Sequence, residues 1–272
     1  MSKKVKQAIQ KVRSIVESTG DANELTYFDY HERRFARMAG TLLERSKPGA
    51  QVLDLGSHFL HSSMILTELG FVLSPVDVQE FWNMEVVKKR AEAYGFQTIV
   101  NNNFENLELP MVLGETFDVI LFTEVLEHIT FNPIEFWKRL FLLGKSGGFI
   151  YVSTPNSFAL ITLLRALKNI LTFQSIGIGL PQIFQKVTYG HHWKEYSKTE
   201  LKTYFASLSD GYHPEVSYYS YKKMAGNNLK DYFYFLLMGL GNFLRVFSTD
   251  LEVVVHVNKK LHKGWKLKSP EY

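Results

Sequence analysis

Apolar positions along the chain follow two rhythms, and the alternation between them is the main signal. From Gly49 to about Asn156, apolar runs of strand length alternate with stretches whose apolar residues recur every three or four positions. Short runs bounded by turn residues read as strands, and the longer period reads as helix. The predicted strands are Gln51 to Leu55, Phe71 to Asp77, Gln97 to Val100, Phe117 to Phe122 and Phe149 to Ser153. Helices are expected between them over Ser63 to Leu69, about Glu80 to Tyr94, and Pro133 to Leu143. Strands and helices in this order build a mostly parallel sheet flanked by helices, so the fold class is α/β.

The flanks differ from this core. Residues 1–20 read as a polar helix with Val5, Ile9, Val12 and Val16 at helical spacing, closed by Gly20. A second helix runs from about Tyr27 to Arg45 and is broken by Lys47-Pro48-Gly49. Beyond Asn156 the alternation stops. Phe158 to Leu171 is an amphipathic helix with leucines on one face and Arg165, Lys168, Asn169 and Thr172 opposite. A looser stretch, Gln174 to Tyr189, precedes Gly190-His191-His192-Trp193, and Ser197 with Glu200 forms a capping box at a helix start. Asp231 to Phe247 is helical and apolar around much of its circumference, either a buried core helix or one lying at a membrane interface. Leu251 to Val257 reads as the last strand, paired antiparallel at one edge of the sheet. Four regions follow: N-terminal helices (1–48), an α/β core (49–156), an apolar helical cap inserted before the last strand (157–247), and that strand with a basic tail (248–272).

Composition narrows the function classes. The 272 residues are 46% hydrophobic, 21% charged and 14% aromatic, enough apolar material for a sizeable core and too much for disorder. There is no cysteine, which removes disulfides, thiolate metal sites and a thiol nucleophile, and agrees with a cytoplasmic protein. No metal is expected at His191-His192 either, since adjacent side chains on a loop point apart. The charged N-terminus has no apolar run behind it, so no signal peptide is expected, and no uncharged apolar run is long enough to span a bilayer. The net charge of +4 gathers in lysines at the two ends, as solvated termini or as a basic surface toward anionic lipid. Without an aromatic-basic stripe, nucleic acid is not an expected partner.

The chemistry concentrates where strands end. Val52-Leu53-Asp54-Leu55-Gly56-Ser57-His58 runs from a strand through a glycine turn toward a helix, a geometry that presents unpaired backbone N–H groups to a ligand. Asp77 closes the next strand about 20 residues downstream, where a carboxylate can accept from both hydroxyls of a ribose.

The first of these stretches resembles motif I of the class I S-adenosylmethionine-dependent methyltransferases. Asp54 and Gly56 stand where that family has them, and His58 and Leu60 take the places of its second and third glycines. Phe117-Asp118-Val119, followed by Glu124-Val125-Leu126-Glu127-His128, is similar to the corresponding segment of the quinone and small-molecule O-methyltransferase branch, as is Lys145-Ser146-Gly147-Gly148 through Thr154-Pro155-Asn156. The likeness spans roughly residues 27–206. It implies a Rossmann-like sheet, S-adenosyl-L-methionine as cofactor, and methyl transfer to an oxygen, while the apolar inserts at 158–189 and 231–247 point to a hydrophobic small-molecule, glycan or lipid-linked acceptor. Cofactor contacts would come from Asp54, Gly56, Ser57 and His58, from Asp77 and Val78, from Asn103 and Phe104 at the adenine, and from Thr123. His128, in the turn after strand four, is the first candidate for general base, because an imidazole titrates near neutrality. His191 and His192 are the alternatives, and Tyr30, His31 and Arg34 secondary candidates at the mouth. Side chains at His58 and Leu60 leave open a fold that has lost its cofactor, and transfer to nitrogen or carbon is open as well.

Overall fold

The computed structural model describes residues 1–107, 109, 116–185, 190–221 and 228–270. Two helices open the chain, α1 (Lys3–Ser18) and α2 (Ala22–Arg45). Ser2 caps α1 by accepting from the Val5 N–H, and Asp21 caps α2 by accepting from Asn23 and Glu24. Both satisfy donors that no helical carbonyl reaches. The core continues with β1 (Gln51–Leu55), α3 (His61–Glu68), β2 (Val72–Asp77), α4 (Gln79–Trp82), α5 (Glu85–Tyr94) and β3 (Ile99–Val100). Then come β4 (Phe117–Thr123), α6 (Ile134–Leu143) and β5 (Gly144–Pro155). Beyond these lie α7 (Leu160–Leu171), α8 (Leu180–Gln185), α9 (Lys198–Leu208), β6 (Tyr212–Tyr219), α10 (Leu229–Phe243) and β7 (Asp250–Val257).

The strands form one seven-stranded sheet in the order β3-β2-β1-β4-β5-β7-β6. β1 to β5 run parallel, while β7 pairs antiparallel with β5 and β6 antiparallel with β7. One face carries Phe136, Trp137, Leu201 and Phe205 of α6 and α9, packed on Leu53, Phe122 and Val253. The other carries Val12, Phe35, Leu42 and Met64 of α1 to α3, packed on Val52, Leu121 and Tyr151. Successive strand residues point to opposite faces, so with both faces covered the central strands are apolar throughout. Each large side chain removed from water this way stabilises the fold by about 1.5–3 kcal/mol.

Four sequence expectations change. The helix expected over 80–94 is two, because the chain turns at Asn83-Met84, where Trp82 swings inward and donates its indole N–H to the Ile99 carbonyl at 2.9 Å. The last strand is not the edge: β7 lies between β5 and β6, which is why its residues are almost all buried. The edge is β6, whose residues the sequence reading assigned to the helical cap. Pro214 accounts for both facts, since a residue without an N–H weakens a strand signature and is tolerated at a sheet edge. Helix α9, with the predicted capping box at Ser197 and Glu200, packs with β6 on the sheet rather than in the cap. Finally, α10 is not a buried core helix: Tyr232, Phe233, Leu236 and Phe243 are 52–83% exposed. Residues 186–189 of the looser stretch lie outside the described residues.

Candidate active site

The chain crosses from β1 to β2 on one side of the sheet while β4 lies on the other, so the loops at their carboxyl ends diverge and leave a crevice. A cavity of about 500 Å³ occupies it.

Gly56, directly after β1, takes φ +79°, and a Cβ there would stand 2.8 Å from Val125 Cγ2. Only glycine meets both conditions without displacement. His58 and Leu60 also have positive φ, 49° and 66°, so the loop keeps the path of a glycine turn without the glycines. Packing holds them there: Leu60 is fully buried, and the His58 ring lies 4.2 to 4.9 Å from the rings of Phe59, Phe81 and Tyr27. Left-handed backbone at such residues costs about 1–3 kcal/mol each and persists only where the surroundings over-determine it. Burial, with His61 nearby, pushes the His58 imidazole down to about 3, so it is neutral.

The N–H groups of this turn are not left for a ligand, as the sequence alone suggested. Gly56 and Ser57 donate to the Val76 carbonyl at 2.9 and 3.2 Å, and His58 donates to Asp77 Oδ2 at 2.5 Å. The end of β2 takes all three donors and stitches the loop to itself. Asp77 also accepts from Val78 N at 2.7 Å through Oδ1. Its carboxylate is buried in the cavity wall, and burial pushes its pKa up to about 6. Each oxygen retains acceptor capacity beyond its backbone bond.

Gly56, Ser57, His58, Asp77, Val78, Asn103, Phe104, Thr123 and His128 all line this one cavity. Asp54 does not. It lies buried beneath the loop, accepting from Ser63 Oγ at 2.7 Å, and burial raises its pKa to about 6 as well. Its visible task is to tie β1 to the first turn of α3. Asn103 spends its side-chain oxygen on capping the following 3-10 turn through Glu105 N. Among the secondary candidates Arg34 reaches the cavity wall, brought there by α2, with its side chain buried beside the Tyr221 ring.

The turn after β4 supplies the other wall. Glu124 has φ +56° and accepts from Ser153 Oγ at 2.9 Å and Tyr221 Oη at 3.0 Å. Glu127 is 1% exposed, and Thr154 Oγ1 donates to its Oε2 at 2.9 Å, while Oε1 is buried with no hydrogen-bond partner. Burial, then the Glu124 charge, holds Glu127 well above the usual carboxylate range. His128 Nδ1–H donates to the His191 carbonyl at 2.9 Å, which makes Nε2 the basic nitrogen of the ring. Trp193 N donates to the Glu127 carbonyl at 2.8 Å, so the segment carrying the histidine pair folds directly over this turn.

That fold brings together a cluster the sequence reading did not foresee. One ligand atom each from Glu127, His128 and His192 lie within 4.8 Å of one another, a carboxylate-and-imidazole set suited to a divalent cation. Of this cluster only His128 lines the cavity, and His191 is buried away from its wall as well. Sequence reasoning also passed over Phe81 and Glu124 as lining residues. Phe81 had a local signal, an apolar residue one turn past Asp77. The left-handed backbone of Glu124 had none.

Comparison with known proteins agrees with this fold. The sequence model of the family described as "Methyltransferase domain" matches residues 29–208. A mitochondrial ubiquinone biosynthesis O-methyltransferase of Dictyostelium discoideum is 35% identical over 107 residues, covering 39% of this chain and 28% of that protein. The ubiquinone biosynthesis O-methyltransferase of Dinoroseobacter shibae is 30% identical over 138 residues, covering 48% of this chain and 54% of that one. The chain thus spans about half or less of the curated relatives it matches. Among solved structures, a SAM-dependent methyltransferase from Archaeoglobus fulgidus superposes with a TM-score of 0.52 at 16% identity, over 84% of this chain and 98% of that one. Magnesium protoporphyrin IX methyltransferase from Synechocystis, solved with bound SAH, gives a TM-score of 0.52 at 15% identity, over 87% and 88%. With a family match over most of its length, and that family's sheet and crevice in place, the chain belongs to the class I S-adenosylmethionine-dependent methyltransferases.

Proposed function

We propose that the chain transfers the methyl group of S-adenosyl-L-methionine to an oxygen of a hydrophobic small-molecule or lipid-linked acceptor. The observation that carries this reading is one cavity walled by Gly56, Asp77 and Phe104 from the loops after β1, β2 and β3 and by His128 from the turn after β4. The residues present suit the cofactor: Gly56 brings bare backbone to the cavity wall, and Asp77 offers a buried carboxylate there. When bound, the cofactor supplies an electrophilic sulfonium methyl. Asp77 would accept from the ribose hydroxyls, Phe104 would cover the adenine, and Arg34 would hold the methionyl carboxylate with its planar donors. His128 would take the acceptor's proton at Nε2, its ring oriented by the His191 carbonyl. Exclusion of water and alignment of the two reactants would supply much of the rate. The curated relatives are named for O-methylation, which supports oxygen over nitrogen or carbon. Calorimetry with S-adenosylhomocysteine, followed by transfer of labelled methyl to a panel of quinol-like phenols, tests the reading. An intact chain that binds no cofactor at all would sink it and favour a fold that has lost its ligand.

A second reading rests on the orphaned Glu127 Oε1 and the cluster it belongs to. A divalent cation held by Glu127, His128 and His192 would then activate the acceptor oxygen as a Lewis acid, with His128 a ligand rather than a base. His192→Ala separates the two. Turnover that survives this change, in protein without bound metal after dialysis, supports the base; turnover lost together with bound metal supports the cation.

A further inference from the structure

Two helices of this chain are apolar where no described residue covers them. None of the residues of α7 is buried, and Leu164, Leu167 and Leu171 are 40–71% exposed. α10 lies alongside, with Tyr232, Phe233 and Leu236 more than half exposed. A surface helix ordinarily draws its stability from burying its apolar face, and a contiguous exposed patch of this kind marks an interface.

We infer that the α7–α10 lobe is a docking surface for an anionic lipid bilayer. Charge selects the occupant. From Ser157 to Trp193 the sequence carries Arg165, Lys168 and Lys186 and no aspartate or glutamate, and Asp231 is the one carboxylate between Asn228 and Phe247. Arg165, Lys168 and Arg245 are exposed and form no ion pair among the described residues. A second copy of the same face would set cation against cation, whereas acidic headgroups supply the missing counter-charge. The tyrosines and phenylalanines of α10 have the amphipathic or apolar rings that settle at headgroup depth. No described helix is long and apolar enough to cross a membrane, so the lobe would lie in the interface plane. The fold also places it usefully. Asn156, at the carboxyl end of β5, donates its amide to the Val246 and Ser248 carbonyls and so ties the two ends of the lobe together on the cavity's side of the sheet. This docking does not depend on which acceptor is methylated.

The test is flotation of the full chain with vesicles of phosphatidylcholine alone or with about one-third phosphatidylglycerol. The expected result is binding to the anionic vesicles only, weakened by salt well above physiological strength. Arg165→Gln with Lys168→Gln should lower partitioning roughly 30-fold, at about one kcal/mol for each charge near the surface. Leu167→Glu with Leu236→Glu should abolish binding, and unchanged S-adenosylhomocysteine affinity and circular dichroism would show these variants folded. Wild-type protein that stays soluble beside anionic vesicles at low salt overturns the inference. So does a dimer in sedimentation velocity that Leu167→Glu dissociates, which would assign the face to self-association.

Discussion

Replacing Asp77 by asparagine should separate cofactor binding from folding. The carboxylate is 6% exposed, and burial raises its pKa from 3.8 to about 6. A displacement of that size corresponds to about 3 kcal/mol of unfavourable ionisation at neutral pH. An amide carries no such cost, but its NH₂ end cannot accept from one of the two N–H groups, His58 or Val78, that the carboxylate serves. Losing one charge-assisted bond costs about 1.5–3 kcal/mol. The two terms nearly offset, so stability at neutral pH should stay within about 1 kcal/mol of wild type. Binding has no such compensation. Without a charged acceptor for the ribose hydroxyls, the affinity for S-adenosylhomocysteine should fall by about 2 kcal/mol, roughly 30-fold in Kd. The pH dependence carries a second signature. Because the folded pKa lies above the unfolded one, the folded chain holds this proton more tightly. The resulting stability is fully present below about pH 3.8 and is lost as pH rises through about 6. Asp77→Asn should remove that component, while Asp54, raised to about 6 by its own burial, keeps a similar one. Calorimetric titration gives the affinity, and thermal melts at about pH 5 and about pH 7.5 give the stability. An unchanged Kd would show that Asp77 does not hold the ribose. A loss of several kcal/mol in stability would show that its bonds to the loop outweigh its ionisation cost.

Three further changes probe the same architecture. His128→Gln should lower turnover by roughly 10²- to 10⁴-fold with cofactor affinity nearly unchanged, read from labelled methyl transfer beside calorimetry; wild-type turnover would remove His128 from the chemistry. Gly56→Ala forces a Cβ against Val125 at φ +79° and should cost about 1–3 kcal/mol of stability along with cofactor binding. Adding Val125→Ala should relieve the contact but not the backbone strain, so only partial recovery is expected. Glu24→Gln strips the charge from a carboxylate that holds buried Arg90 at 2.5 Å and His61 at 2.7 Å. That should lower stability by about 3–5 kcal/mol in a denaturant titration, because Arg90 would stay buried without its counter-charge.

The strand–helix alternation from Gly49 to Asn156 was legible in the sequence because each strand of a doubly covered parallel sheet is apolar on both faces and each connecting helix on one. The place of Asp77 and His128 on the wall of one cavity was legible as well, since in such sheets crevices form at the carboxyl ends of the strands. What the sequence could not express is how distant segments share those ends. β6 was hidden by Pro214 and by a pattern only partly alternating, and its partner β7 lies more than thirty residues further on. His192 read as a loop histidine, and it reaches Glu127 and His128 only because Trp193 hydrogen-bonds back to the Glu127 carbonyl. The glycine turn survives at His58 and Leu60 because tertiary packing meets the backbone cost, which no local propensity records. The apolar sequence of α10 was compatible with a buried core helix or with an exposed one. Its neighbours decided, because the sheet faces are already filled by α1 to α3, α6 and α9, and no core is left for it to enter.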